Sequence, residues 1–156
     1  MTLYSGLDLN FGPVSLCLPD PHEIENADIA SDSIEARSQW LQKAMSGSDM
    51  LYFAIRLDGM LAGQIFLYDL EDNSGEAQVG LHLFDAAVRG RGVGAAALAL
   101  LQQYVSEKTS LKHLSFQVEI NHTAARRAAE KCGFISRGKS KTDSQELVYS
   151  WNVMAG

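Results

Sequence analysis

Residues 83–101 read LFDAAVRGRGVGAAALALL, and they join a strand-like segment to an alanine- and leucine-rich helix. Gly90, Gly92 and Gly94 precede that helix and alternate with Arg89 and Arg91. A helix N-terminus presents N–H groups that lack intrahelical partners, and it carries a partial positive charge. Glycine lets an anion approach this backbone closely, and arginine adds charge-assisted donors. The run therefore predicts a site for a phosphate or pyrophosphate group.

Two other phosphate-binding motifs fit this run less well. A Walker loop needs a Gly-Lys-Ser/Thr sequence, which does not follow these glycines. Gly90-x-Gly92-x-x-Ala95 matches a dinucleotide-binding pattern, but that pattern opens a strand–helix–strand unit. Here it follows three strands predicted to be antiparallel. A nicotinamide or flavin dinucleotide protein is therefore kept only as an alternative.

The apolar pattern predicts strands and helices along one domain, residues 1–156. Alternation predicts strands over 14–18, 51–57, 61–70, 76–84, 113–120, 134–137 and 147–153. Helical periodicity predicts helices over 33–45, 94–108 and 123–131. Asp58-Gly59 is a hairpin signal, so the strands between 51 and 84 should form an antiparallel meander. This order indicates an α/β fold with a mixed sheet.

Composition narrows the class of protein. The formal net charge is −6, which argues against nucleic acid as a partner. No apolar run approaches the ~18 residues of a membrane helix, and the N-terminus lacks the pattern of a signal peptide. Cys17 and Cys132 form no metal-ligand cluster. We expect a soluble cytoplasmic protein that holds no metal and has no nucleic-acid or membrane partner.

Two motifs and the order of elements resemble the GNAT superfamily of acyl-CoA-dependent N-acyltransferases. The family signature, (Gln/Arg)-x-x-Gly-x-(Gly/Ala) at a strand-to-helix turn, is similar to Arg89-Gly90-Arg91-Gly92-Val93-Gly94. A family asparagine, followed by a short helix ending in Gly-Phe, is similar to NHTAARRAAEKCGF, residues 121–134. Within it, RRAAEKCGF resembles the branch of ribosomal-protein alanine N-acetyltransferases. The resemblance covers nearly the whole chain. It implies a mixed, mostly antiparallel sheet with helices on both faces and a splayed central strand pair.

The resemblance also implies how acetyl-CoA would bind as co-substrate. Backbone N–H groups of Arg89–Gly94 would hold the pyrophosphate, and the strand end at Leu83 and Phe84 would pair with the pantetheine amides. Asn121 would hydrogen-bond the pantetheine arm. The spacing from this asparagine to Gly-Phe is one residue longer than the family pattern, so His122 is an alternative to it.

The chemistry of amide formation requires a base, because an alkyl amine with a pKa near ~10.4 is mostly protonated at neutral pH. Even-numbered residues of the strand 76–84 are mostly polar and share one face. Histidine titrates near neutral pH, so His82 is the first candidate base and Glu76 the second. The usual positions of a general acid carry Ala129 and either Ala124 or Ala125. None of these can donate a proton, which leaves water to protonate the thiolate.

These predictions together indicate transfer of an acetyl group from acetyl-CoA to a primary amine. The amine belongs to a small molecule or to a protein N-terminus. The sequence does not fix the oligomeric state, and a homodimer is one possibility. The alternative from another class is a non-catalytic module that binds or senses acyl-CoA. Release of free thiol during turnover distinguishes the two.

Overall fold

The computed structural model describes residues 9–17, 51–68, 75–83, 92–141 and 144–153. The helix predicted over 33–45 lies outside these residues. Within them the elements are, in chain order, β1 (Leu9–Phe11), β2 (Val14–Cys17), β3 (Leu51–Leu57), β4 (Met60–Tyr68), β5 (Glu76–Leu83), α1 (Val93–Lys108), β6 (His113–Glu119), α2 (Thr123–Lys131), β7 (Ile135–Lys139) and β8 (Glu146–Asn152).

The strands form one sheet in the order β1-β2-β3-β4-β5-β6-β8-β7. Neighbouring strands are antiparallel throughout, except for the parallel pair β5–β6. The predicted mixed, mostly antiparallel sheet is therefore confirmed. Two details differ from the prediction: β1 was not foreseen, and β7 continues to Lys139 through a segment that resembles a loop in sequence.

The parallel pair at the centre of the sheet is splayed, as the resemblance implied. Pairing between β5 and β6 covers only Glu76–Val79 against His113–Phe116. Beyond this point β5 continues to Leu83 in register with β4, and β6 continues to Glu119 in register with β8. Each strand thus keeps its outer neighbour while the two ends diverge, which opens the sheet between them.

The core lies between one face of the sheet and the two described helices. On β3, Leu51, Phe53 and Ile55 are buried in this core, and the ring of Phe53 packs edge-to-face on Tyr104 of α1 at 5.1 Å between centroids. α1 lies over β1 and β2, α2 lies over β6 and β7, and the two helices contact each other. Both therefore lie on the same face. No helix in the described part of the chain is long and apolar enough to cross a membrane.

Candidate functional site

A cavity of about 480 Å³ lies at the splayed end of β5, between the N-terminal ends of α1 and α2. Its volume falls in the range of small-molecule and cofactor sites. The residues that line it come from β5 and from the two helices with the turns before them: Leu81, His82, Leu83, Gly92, Gly94, Ala95, His122, Thr123, Ala124, Ala125, Arg127, Ala128 and Lys131.

The start of α1 is suited to bind an anion. Gly92 is the N-cap, with φ 78°, and no side chain within the described residues caps the helix there. The first intrahelical bond runs from the Ala96 N–H to the Gly92 carbonyl at 3.0 Å. The N–H groups of Val93, Gly94 and Ala95 precede that bond, so they have no acceptor within the helix. With Gly92 and Gly94 on the cavity wall, these donors and the helix dipole favour a negative group at this end.

Several residues predicted to bind the co-substrate can be placed against this cavity. Leu83 lies on its wall at the end of β5. The side chain of Val93 is buried in the core, so only its backbone is available to a ligand. The positions beyond β5 and before Gly92 lie outside the described residues, which leaves untested the predicted contacts of Phe84, Arg89, Gly90 and Arg91.

The turn before α2 brings His122 to the cavity. His122 is the N-cap of α2, and its Nδ1 accepts a hydrogen bond from the Ala125 N–H at 3.2 Å. His122 lines the cavity and Asn121 does not, although both residues are exposed in the turn. Of the two positions that the sequence left open, the geometry favours His122, and a pantetheine contact by Asn121 stays a prediction.

Sequence reasoning missed a hydroxyl on this wall. Thr123, the first residue of α2, lines the cavity one position before Ala124, where a polar side chain was sought. Arg127 and Lys131 also line the cavity and give its outer part a positive charge. The sequence offered no signal for Thr123, because the one-residue shift from Asn121 to His122 moves the expected polar position from Ala124 to Ala125, away from the threonine.

The two candidate bases lie at opposite ends of β5. His82 is half-buried on the cavity wall, opposite Gln64 of β4, whose Oε1 accepts a hydrogen bond from the Tyr52 hydroxyl. Glu76 is exposed at the start of β5 and pairs with His113 in the closed part of the sheet. Six residues at about 3.3 Å each separate the two along the strand by about 20 Å. The residue His82 therefore lies at the cavity, with its side chain on the sheet face opposite α1 and α2, whereas Glu76 lies away from the cavity.

An aromatic cluster accompanies His82 on its face of the sheet, opposite the described helices. Phe66 pairs with Gly80, and its ring lies where a Cβ of Gly80 would be. Tyr52 stacks beside Phe66 at 6.3 Å between centroids, and Tyr68 packs on its other side at 5.8 Å. Gly80 is thus needed for the close approach of this ring, and within the cluster Tyr52 is fully buried whereas Phe66 and Tyr68 are half-buried.

Fold and site together combine a helix start suited to an anion with a cavity beside a splayed parallel pair. A family model described as an acetyltransferase (GNAT) domain matches residues 16–135. The chain therefore belongs to the GNAT acetyltransferase family, and acetyl-CoA is its co-substrate.

Solved structures with the same fold differ widely in sequence. One is RimL, a ribosomal L7/L12 alpha-N-protein acetyltransferase in complex with coenzyme A. It has 15% identity and a TM-score of 0.78, and the match covers 96% of this chain and 99% of that one. A spermidine N-acetyltransferase from Vibrio cholerae with CoA and spermine has 13% identity and a TM-score of 0.76, and the match covers 92% of this chain and 97% of that one. An aminoglycoside acetyltransferase with coenzyme A has 17% identity and a TM-score of 0.76, and the match covers 91% of this chain and 96% of that one. No curated protein matches the sequence.

The placement of His122 leads to a test of the turn before α2. In His122→Ala the N-cap acceptor and the ring on the cavity wall are both lost, so we expect the acetyl-CoA affinity to fall by up to about tenfold. His122→Asn keeps a capping side chain but removes the ring, which separates the two contributions. Titration calorimetry gives the affinities. If Asn121→Ala weakens binding while His122→Ala does not, the asparagine is the contact.

Proposed function

We propose that this chain transfers the acetyl group of acetyl-CoA to the primary amine of a small molecule or of a protein N-terminus. The observation that carries the proposal is one cavity that is lined both by the uncapped start of α1 and by His82 at the splayed end of β5. A phosphate-bearing thioester held at one end would present its acetyl group near a titratable side chain at the other.

Each part of acetyl-CoA has a counterpart on the cavity wall. The pyrophosphate lies at the N–H groups that open α1, and the pantetheine arm follows the end of β5, where β6 no longer pairs with that strand. His122 contacts this arm from the turn before α2. Arg127 and Lys131 lie on the wall where they attract the phosphate groups of the adenosine end.

The proposed reaction is a direct transfer. The lone pair of the neutral amine attacks the thioester carbonyl carbon, the C–N bond forms and the C–S bond breaks. The amine proton passes to His82, directly or through a water molecule. Coenzyme A leaves as a thiolate, which accepts a hydrogen bond from the Thr123 hydroxyl and takes a proton from water. A thiol with an ordinary pKa of ~8.5 is a tolerable leaving group, so the chain needs no dedicated acid at Ala124 or Ala125.

The acceptor amine approaches from the face of the sheet that carries His82. The half-buried rings of Phe66 and Tyr68, from the aromatic cluster, lie on this face, and aromatic rings attract alkyl chains and ammonium groups. Proteins of this fold act on a ribosomal protein, on spermidine and on aminoglycosides, according to their names. The likeness of RRAAEKCGF to ribosomal-protein acetyltransferases favours a protein N-terminus as the first acceptor to test.

The decisive experiment assays three acceptor classes with acetyl-CoA: short peptides with free N-termini, polyamines and aminoglycosides. We expect one class to release free thiol well above the rate without acceptor, and mass spectrometry to detect an acetylated product. Capping the amine of the best acceptor should abolish the release. If the chain binds acetyl-CoA but acetylates no member of the panel, the non-catalytic acyl-CoA-binding alternative gains support.

A further inference from the structure

We propose that Tyr149 is a positioning residue, whose hydroxyl holds α2 against the sheet and thereby fixes the cavity wall that binds acetyl-CoA. Tyr149 touches neither the cavity nor the reacting atoms, and it acts through α2. The inference rests on the proposed use of the cavity.

The Tyr149 hydroxyl lies at the centre of a polar cluster beneath α2. Tyr149 is in β8, and its side chain is fully buried. The hydroxyl donates to Glu130 Oε2 at 2.8 Å and accepts from Arg126 Nε at 3.3 Å. The same arginine donates from Nη1 to the Ile120 carbonyl at 3.2 Å. One tyrosine and one arginine thus connect β8, α2 and the end of β6.

The helix depends on such contacts because it is short and has few apolar anchors. α2 has nine residues, and its buried side chains are Ala128 and Ala129, which bury one methyl group each. A helix of this length is marginal without tertiary contacts. Its C-terminal end is held by two further hydrogen bonds, from Cys132 Sγ to the Ala95 carbonyl at 3.3 Å and from Gln102 Nε2 to the Cys132 carbonyl at 2.9 Å.

The Tyr149 cluster holds α2 through Arg126 in its N-terminal half and through Glu130 near its C-terminal end, and the helix lines much of the cavity. Ala124, Arg127 and Ala128 recur at helical spacing and face the cavity. Arg126 lies on the neighbouring face, where its hydrogen bond with Tyr149 raises the pKa of the guanidinium. If α2 tilts away from the sheet, the residues proposed to meet acetyl-CoA move with it.

Tyr149→Phe tests the inference, because it removes the hydroxyl and keeps the buried ring. We expect the Kd and the KM for acetyl-CoA to rise about three- to tenfold, as for the loss of one or two hydrogen bonds. The kcat at saturating acetyl-CoA should stay within about twofold, since no reacting group changes. Arg126→Met should have a similar effect, and the double variant should be no worse than the stronger single variant, because both changes break the same cluster.

Ser150→Ala is the matched control on the next residue of β8. The Ser150 Oγ accepts a hydrogen bond from Arg137 Nε at 2.7 Å. Ser150→Ala, like Tyr149→Phe, therefore removes a buried hydroxyl that binds an arginine. Ser150 follows Tyr149 directly and so points to the opposite face of the sheet, away from α2. We expect Ser150→Ala to reduce the melting temperature without changing the acetyl-CoA affinity, whereas Tyr149→Phe should reduce both the melting temperature and the affinity.

Wild-type acetyl-CoA affinity in folded Tyr149→Phe, or an equal loss in Ser150→Ala, would overturn the inference. If Tyr149→Phe does not fold, Arg126→Met decides, because its side chain is only partly buried. The Gly94→Glu variant distinguishes failure of the proposed function from failure of the positioning role. If Gly94→Glu leaves acetyl-CoA binding intact, the cavity is not the binding site. If Gly94→Glu abolishes binding while Tyr149→Phe and Arg126→Met do not change it, only the positioning role fails.

Discussion

Gly94→Glu is expected to weaken acetyl-CoA binding by at least about 100-fold in a folded protein. Gly94 is the second residue of α1, lies on the cavity wall and has an N–H that precedes the first intrahelical bond. A glutamate side chain would extend into the space that the pyrophosphate needs and place a carboxylate beside it. Two unit charges about 4 Å apart repel by about 4 kcal/mol near a protein surface, which exceeds the ~2.7 kcal/mol of a 100-fold change.

Titration calorimetry with acetyl-CoA measures this loss, and two variants at the same position serve as controls. An added Cβ at Gly94 would lie 3.5 Å from Leu81 Cδ2 and 3.9 Å from Ala128 Cβ, which is ordinary contact. Gly94→Ala should therefore bind acetyl-CoA nearly as wild type does, and Gly94→Gln separates the bulk of the new side chain from its charge. Gly92 is less suitable, because its φ of 78° strains any other residue. Unchanged affinity in Gly94→Glu would place the pyrophosphate elsewhere.

The sequence predicts most of the described fold because its strands alternate regularly and its glycines mark the turns. The meander of β3, β4 and β5 follows from such alternation and from the Asp58-Gly59 hairpin, where both residues have positive φ. β1 escaped prediction because three residues are too few to show a period. β7 was predicted too short because Gly138, with φ 95°, and the irregular register between Ser136 and Lys139 interrupt its pattern.

The sequence predicts those parts of the site that depend on residue type alone. It predicts less well which residues contact the cavity, because that depends on the geometry of turns and strands. The alternation of glycines and arginines before α1 favours an anion by residue type alone, whereas the choice between Asn121 and His122 depends on a turn that one residue can shift. Alternation correctly put Glu76 and His82 on one face, but a shared face does not bring two side chains together when they lie at opposite ends of a strand. The Tyr149 cluster joins residues that are far apart in sequence, so no local sequence pattern predicts it.

His82→Ala is expected to lower kcat/KM for the best amine by at least about 100-fold, the lower end of what a general base contributes. His82 lines the cavity at the splayed end of β5, so its imidazole is the titratable side chain on β5 nearest to the proposed thioester. The variant should bind acetyl-CoA as wild type does, because the proposed phosphate contacts lie on α1 and α2. His82→Gln, which keeps a hydrogen-bonding side chain but cannot take up a proton, should be similarly slow.

The pH dependence separates a base from a residue that only shapes the cavity. In the wild type, kcat at saturating amine should fall at low pH as the imidazole becomes protonated, and both His82 variants should lose this limb. His113→Ala is the matched control: this histidine lies on the same sheet face at the closed end of the parallel pair, opposite Glu76, with its Nδ1 2.7 Å from Asn152 Oδ1. It should keep the wild-type rate and pH profile. A folded His82→Ala protein with wild-type kcat/KM and an intact acidic limb would remove His82 from the mechanism and leave a water molecule as the proton acceptor.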